Sequence, residues 1–219
     1  MSPRVRASGR PRTLRIGVFG GTFDPPHLGH LALAEWARES LALDRVLFVP
    51  AGAPPHKQAP RAAVATRVAL VRAAVRGNPA FGVCTLEARR AGPSYTVDTL
   101  RALAGEHPGA ELWLLVGADM FETMSTWRDI RGIVRLARIG VALRPGSAAS
   151  VRPAWARGGL GLRALANPAL EISSSGVRAR ARAGRSLRYL VPDAVARLVA
   201  ARGLYRSAAT RMARRARRG

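Results

Sequence analysis

The residues best suited to chemistry stand together near the start of the chain, as Gly20-Gly21-Thr22-Phe23-Asp24-Pro25-Pro26-His27-Leu28-Gly29-His30. Two imidazoles three residues apart at a helix start point out of the same end of that helix. Unpaired backbone N–H groups and the positive end of the helix dipole gather there. The glycines before them let the backbone approach a ligand closely. Gly29 leaves no side chain between the histidines and that ligand. Together these features suit an anion, above all a polyphosphate. A single histidine would be read as a cap or a core residue. A metal site is the alternative for the pair, but Asp24 alone would have to serve as the third ligand.

A second segment has the same character. Ile172-Ser173-Ser174-Ser175-Gly176-Val177-Arg178 offers hydroxyls and N–H groups at a helix start, with a fixed positive charge one turn in. The plainer reading is a serine cap followed by a solvated arginine face. Asp119, after Gly117, is placed to accept hydrogen bonds from ribose hydroxyls, or else to cap a helix. Trp127 can stack on a flat ring or serve the core. Lys57 is the only lysine and follows Pro54-Pro55-His56, a segment that reads as a loop near the strand ends. No Ser-His-Asp, Cys-His or paired-carboxylate arrangement supplies a nucleophile or a base.

The elements that must position these residues read as alternating strands and helices. Strands are expected at 15–19, 45–49, 81–86, 111–116, 138–143 and 160–166. Helices are expected at 28–40, 61–76, 96–104, 175–183 and 192–201. Thr96 is expected to cap the third helix. Leu28, Leu31, Ala32, Leu33 and Trp36 form the expected apolar face of the first. Residues 145–159 read as a loop. Strands separated by helices imply parallel pairing with right-handed crossovers, an α/β, Rossmann-like sheet with flanking helices. Strands ending at Gly20 and Gly117 put the ligand crevice at their carboxyl ends.

The segment 20–30 resembles the nucleotidylyltransferase signature, a GTFDPxHxGH pattern related to the HIGH box of class I aminoacyl-tRNA synthetases. Further segments narrow the match: Pro54-Pro55-His56-Lys57, Ser94-Tyr95-Thr96-Val97-Asp98-Thr99-Leu100, Gly117-Ala118-Asp119 with Trp127 beyond, the 172–178 segment, and Tyr189-Leu190-Val191-Pro192. In this order and spacing, residues 14–205 resemble the bacterial nicotinate-nucleotide adenylyltransferases. The resemblance implies transfer of AMP from ATP to nicotinate mononucleotide, giving nicotinate adenine dinucleotide and pyrophosphate in NAD biosynthesis. It implies catalytic roles for His27, His30 and Arg178. Gly20, Gly21, Thr22, Phe23, Ile172, Ser173, Ser174 and Ser175 would bind ATP and its phosphates, although the family usually has threonine where Ser175 stands. Gly117, Asp119, Arg144 and Lys57 would contact the nucleotide and ribose, and Tyr95, Thr96 and Trp127 the nicotinate ring. No protein ligand to a metal is implied; Mg²⁺ would ride on the phosphates of ATP. Nicotinamide-nucleotide and pantetheine-phosphate adenylyltransferases are the alternatives. The second of these shares the Ile-Ser-Ser-Ser motif but lacks the 94–100 and 189–192 segments.

Composition sets the outer limits. A chain of 219 residues suits one well-buried domain, and 48% hydrophobic with 22% charged residues excludes wholesale disorder. No apolar run is long enough to span a membrane. The single cysteine, Cys84, excludes an internal disulfide and a cysteine-rich zinc site. The N-terminus has no apolar segment of the signal-peptide kind, so a soluble cytoplasmic protein is expected. The formal net charge is +23. Residues 1–15 hold five arginines and residues 200–219 hold seven, with no acid in either stretch. The expected organisation is a basic extension at 1–14, one domain at 15–205, and a basic disordered tail at 206–219. The basic ends could hold nucleic acid nonspecifically. A nucleic-acid-binding protein on a nucleotide fold is therefore the reading from another class. The sequence leaves the oligomeric state open.

Overall fold

The computed structural model describes residues 12–53, 59–143, 161–165 and 170–206. Its centre is a parallel sheet of β1 (Arg15–Gly21), β2 (Arg45–Pro50), β3 (Phe81–Val83), β4 (Glu111–Gly117), β5 (Ala137–Ala142) and β6 (Leu162–Leu165), in the order β3-β2-β1-β4-β5-β6. Val18 pairs with Leu47 on one side and Leu114 on the other. β1 and β4 read as near-continuous apolar runs because both faces of the sheet are covered.

Alternation along the strands divides the core. Ile16, Val18, Leu112, Leu114 and Val116 face α4 (Thr96–Glu106) and α6 (Ile130–Leu136). Phe19, Trp113 and Leu115 face α1 (Leu28–Ser40) and α2 (Val64–Val75). A third cluster joins α2 to α7 (Ser174–Arg182) and α8 (Asp193–Ala201). The alternating order of strands and helices, the parallel pairing and the full extent of α1 agree with the sequence expectation.

The differences have local causes. The strand expected at 81–86 ends at Val83. Cys84 N–H still donates to Phe48 O at 2.9 Å, and the chain then turns into a short helix, α3 (Leu86–Arg89). That turn buries Glu87, whose carboxylate accepts from Thr99 Oγ1 at 2.9 Å. α6 had no counterpart in the sequence reading. It begins at Asp129, whose side chain accepts from Gly132 N–H, and a Cβ at position 132 would lie 2.3 Å from Asp129 Oδ2. Thr96 does not cap α4; Tyr95 is the N-cap and makes no side-chain capping bond. Trp36 is 42% exposed, so the inner face of α1 is built on Ala34 and Ala37. Those small side chains let the helix lie close against the sheet.

Candidate active site

β1 and β4 lie side by side at the centre of the sheet, and the strand order reverses between them. Crevices in doubly wound sheets open at the carboxyl ends of strands at this point. A cavity of about 530 Å³ occupies it. Gly20, Gly21 and Thr22 form its floor with Gly117. His30 and Leu33 of α1 form one wall, Met120 another, and Ser174, Ser175 and Arg178 of α7 a third; Arg61 stands at the rim.

The glycines divide into two kinds. A Cβ on Gly20 or Gly117 would meet no atom within 4 Å, so both leave backbone bare toward the crevice. A Cβ on Gly21 would lie 2.9 Å from the ring of Phe23. Position 21 is bare to seat that ring rather than a ligand. Phe23 itself is 1% exposed, with φ at 49°, and its ring meets Phe19 and His30 edge-on at centroid distances of 5.6 and 5.1 Å. The loop thus folds over its own aromatic core and turns its backbone outward.

The His27 and His30 rings are in contact, with centroids 3.7 Å apart and planes tilted by 38°. His27 N–H donates to His30 Nδ1 at 3.2 Å. In the neutral ring that acceptor role leaves the proton on Nε2. His30 lines the cavity, while His27 is buried behind it at 7% exposure with its Nδ1 unpartnered. Burial lowers the His27 pKa to about 4, so its ring is neutral near pH 7. Gly29 serves this packing, since a Cβ there would stand 3.1 Å from His27 Nδ1. The first helical N–H is also engaged: Leu28 N donates to Leu190 O at 2.9 Å.

Asp24 holds the loop in place. Its Oδ1 accepts from Tyr205 Oη at 2.6 Å and its Oδ2 from Arg61 N–H at 2.7 Å. Among the described residues no group of three His, Cys, Asp or Glu could hold a metal ion. The Asp24 carbonyl accepts from Arg178 Nη1 at 2.7 Å, and Ser174 Oγ donates to Pro25 O at 2.8 Å. These two bonds dock α7 onto the histidine loop. Ser173 caps α7 by accepting from Gly176 N–H, and its hydroxyl lies 3.0 Å from that of Ser175. Ile172 packs beneath, against the third cluster.

The remaining sequence candidates lie apart from this cavity. Asp119 is in the first turn of α5 (Ala118–Glu122), exposed and outside the lining. Trp127 is partly buried against the core, after the short 3-10 turn Met124–Thr126, and its backbone N–H already donates to Met124 O. Tyr95 and Thr96 open α4. The Arg128 guanidinium sits 4.5 Å above the Tyr95 ring, so the Tyr95 and Trp127 segments meet. Lys57 and Arg144 lie outside the described residues.

Sequence reasoning missed Arg67. It is 1% exposed, and its guanidinium donates to Thr22 O at 2.8 Å, Gly52 O at 3.2 Å and Ala62 O at 3.2 Å. It ties the loop after β1 to the segments after β2. One arginine among several in an expected helix carries no signal of this. The only available hint was an arginine placed among Val64, Val68 and Val71.

A sheet of this order, with a donor-lined crevice at its reversal, defines a nucleotide-handling α/β protein. A family model described as cytidylyltransferase-like matches residues 18–180. A Thermomicrobium roseum protein is 44% identical over 88% of this chain and 92% of its own length. One from Salinibacter ruber is 44% identical over 88% of this chain and 98% of its own. Both are named probable nicotinate-nucleotide adenylyltransferases. The solved Plasmodium falciparum nicotinic acid mononucleotide adenylyltransferase in complex with NaAD shares the fold. Its TM-score is 0.71 at 16% identity, over 88% of this chain and 97% of that one. The chain belongs to the nicotinate-nucleotide adenylyltransferase family, within the cytidylyltransferase-like nucleotidyltransferases.

Proposed function

We propose that this protein transfers AMP from ATP to nicotinate mononucleotide, releasing pyrophosphate and forming nicotinate adenine dinucleotide. The observation that carries this reading is the facing of His30 and Arg178 across one cavity at the ends of β1 and β4. A neutral donor and a cation there can hold the two parts of a triphosphate that separate in the reaction.

The acceptor needs no activating base. Its phosphate, with a second pKa of about 6, is mostly dianionic near pH 7. One of its oxygens attacks the α-phosphorus in line. The new P–O bond forms as the α–β bridge breaks, and the electron pair leaves with pyrophosphate. Catalysis is then positioning and charge stabilisation. His30 Nε2–H donates to an α-phosphate oxygen, and His27 holds the His30 ring from behind. Arg178, with the hydroxyls of Ser174 and Ser175 and the cap at Ser173, binds the departing phosphates; Lys57 and Arg144 are assigned to the nucleotide by the family resemblance alone. Gly20 bares its backbone to the nucleotide, with Gly21 and Thr22 beside it on the cavity floor, and Asp119 accepts from a ribose hydroxyl. Tyr95, Thr96 and Trp127 receive the nicotinate ring, with the indole as a stacking face.

The family's divalent ion fits this chain as part of the substrate. The nearest carboxylate, Asp24, is engaged by Tyr205 and by backbone N–H groups. We therefore assign Mg²⁺ to the ATP phosphates and route no step through a protein-held metal. We assign the protein to the cytoplasm; no helix among the described residues is long and apolar enough to cross a membrane.

The test is pyrophosphate release with ATP and each of nicotinate mononucleotide, nicotinamide mononucleotide and phosphopantetheine. The expected outcome is a specificity constant at least about 30-fold higher for nicotinate than for its amide, the scale of one or two mispaired polar groups. Equal constants for the two would reject the acceptor assignment.

A further inference from the structure

Among the described residues, Tyr205 is the one farthest along the chain that touches the site. It follows α8, and its ring packs on the third cluster. Its φ of 63° turns the backbone into the left-handed region, an uncommon conformation for a bulky residue. Its hydroxyl reaches back to Asp24 Oδ1 at 2.6 Å, a partner 181 residues away in sequence. Nothing in the reaction derived above uses this bond.

Asp24 is held from three directions. Tyr205 takes one carboxylate oxygen, and the backbone N–H groups of Arg61 and Ala62 take the other, at 2.7 and 3.4 Å. The main-chain carbonyl of the same residue accepts from Arg178 Nη1 at 2.7 Å. The side chain is anchored at both oxygens, and the main chain of the same residue carries the carbonyl that holds Arg178. Arg178 is a flexible side chain whose value to a phosphate depends on where the guanidinium waits. We propose that Tyr205 is a positioning residue for nucleotide binding: by clamping the Asp24 carboxylate it aims the Asp24 carbonyl, and so pre-sets the Arg178 guanidinium at the cavity wall.

The phenol suits this task. Burial, and then the adjoining Asp24 carboxylate, raise its pKa far above the usual tyrosine value. It remains a proton donor at any working pH. The charges facing it are Asp24, Arg178 and Arg67.

The role of Arg178 rests on the proposed function, so the test reads binding as well as turnover. Four proteins are compared: the parent, Tyr205→Phe, Arg178→Ala and the double variant. ATP affinity is measured by titration calorimetry, and Michaelis constants by pyrophosphate release. Tyr205→Phe removes one hydroxyl and keeps the ring. It is expected to weaken ATP binding about 3- to 10-fold, the scale of one ordinary hydrogen bond acting through a neighbour. The Michaelis constant for the acceptor should stay within about two-fold. In the Arg178→Ala background the same change should alter ATP affinity less than about two-fold, because the group it positions is gone. Independent, multiplicative effects would overturn the proposal. So would unchanged ATP affinity with only a lowered melting temperature, or a Tyr205→Phe protein that does not fold. A parent protein that binds ATP without using nicotinate mononucleotide would reject the reaction and leave this binding comparison intact.

Discussion

The His27 backbone N–H donates to His30 Nδ1 at 3.2 Å while the two imidazoles touch at a tilt of 38°, centroids 3.7 Å apart. One histidine therefore fixes both the tautomer and the tilt of the other. The pair is asymmetric: a cavity-facing ring and a buried, neutral one. The following expectations separate their roles from those of their surroundings.

His30→Ala should lower kcat about 10²- to 10³-fold, the scale for losing one preorganised transition-state donor. Steady-state kinetics with both substrates varied measure it. A change confined to the Michaelis constant for ATP would remove the transition-state role.

His27 gives stability a pH dependence. Its pKa is about 4 in the folded protein against the ordinary 6.5 of histidine, so the unfolded chain binds a proton that the folded chain refuses. Stability is full above about pH 6.5 and falls as pH drops toward 4, by roughly 3 kcal/mol across the window. Urea titrations at several pH values should show a shallower decline in His27→Gln than in the parent. Parallel profiles would mean that the buried ring titrates normally.

Arg67→Met should cost about 3–5 kcal/mol in unfolding free energy, because three inward carbonyls lose their donor. Chemical denaturation reads this directly. A loss below about 1 kcal/mol would show that the guanidinium is not what ties the loop down.

Gly20→Ala and Gly21→Ala should fail in opposite ways. At position 20 a methyl enters open crevice. Stability should stay within about 0.5 kcal/mol while ATP affinity falls. At position 21 the methyl meets the Phe23 ring, and overpacking should cost about 1–3 kcal/mol. Identical behaviour of the two variants would collapse the distinction between ligand-facing and packing-facing glycines.

The legible parts of the sequence were those with local signals. α1 emerged with its bounds because a glycine-rich strand end precedes it and amphipathic spacing runs through it. α6 did not, being short and interrupted by Gly132, whose value lies in a contact with Asp129 that no propensity records. The face of α1 was misread because Trp36 has more apolar weight than Ala34 and Ala37, while close approach to the sheet selects the smaller residues. At the site, the motif named His30 and Arg178. The residues that hold them in place were silent because their partners are remote: Arg67 reaches Thr22 across 45 positions, and Tyr205 reaches Asp24 across 181.

The bonds from Ser174 to Pro25 and from Arg178 to Asp24 cross 149 and 154 residues of chain. The signature loop is made early during synthesis and its supports very late. A chain emerging from the ribosome can form β1, α1 and β2 long before the groups that dock α7 onto the loop exist outside the exit tunnel. The site is thus the last thing the protein builds. Premature termination ahead of α7 yields a polypeptide carrying the whole histidine motif and none of its docking, a product with the family's signature and without a working crevice.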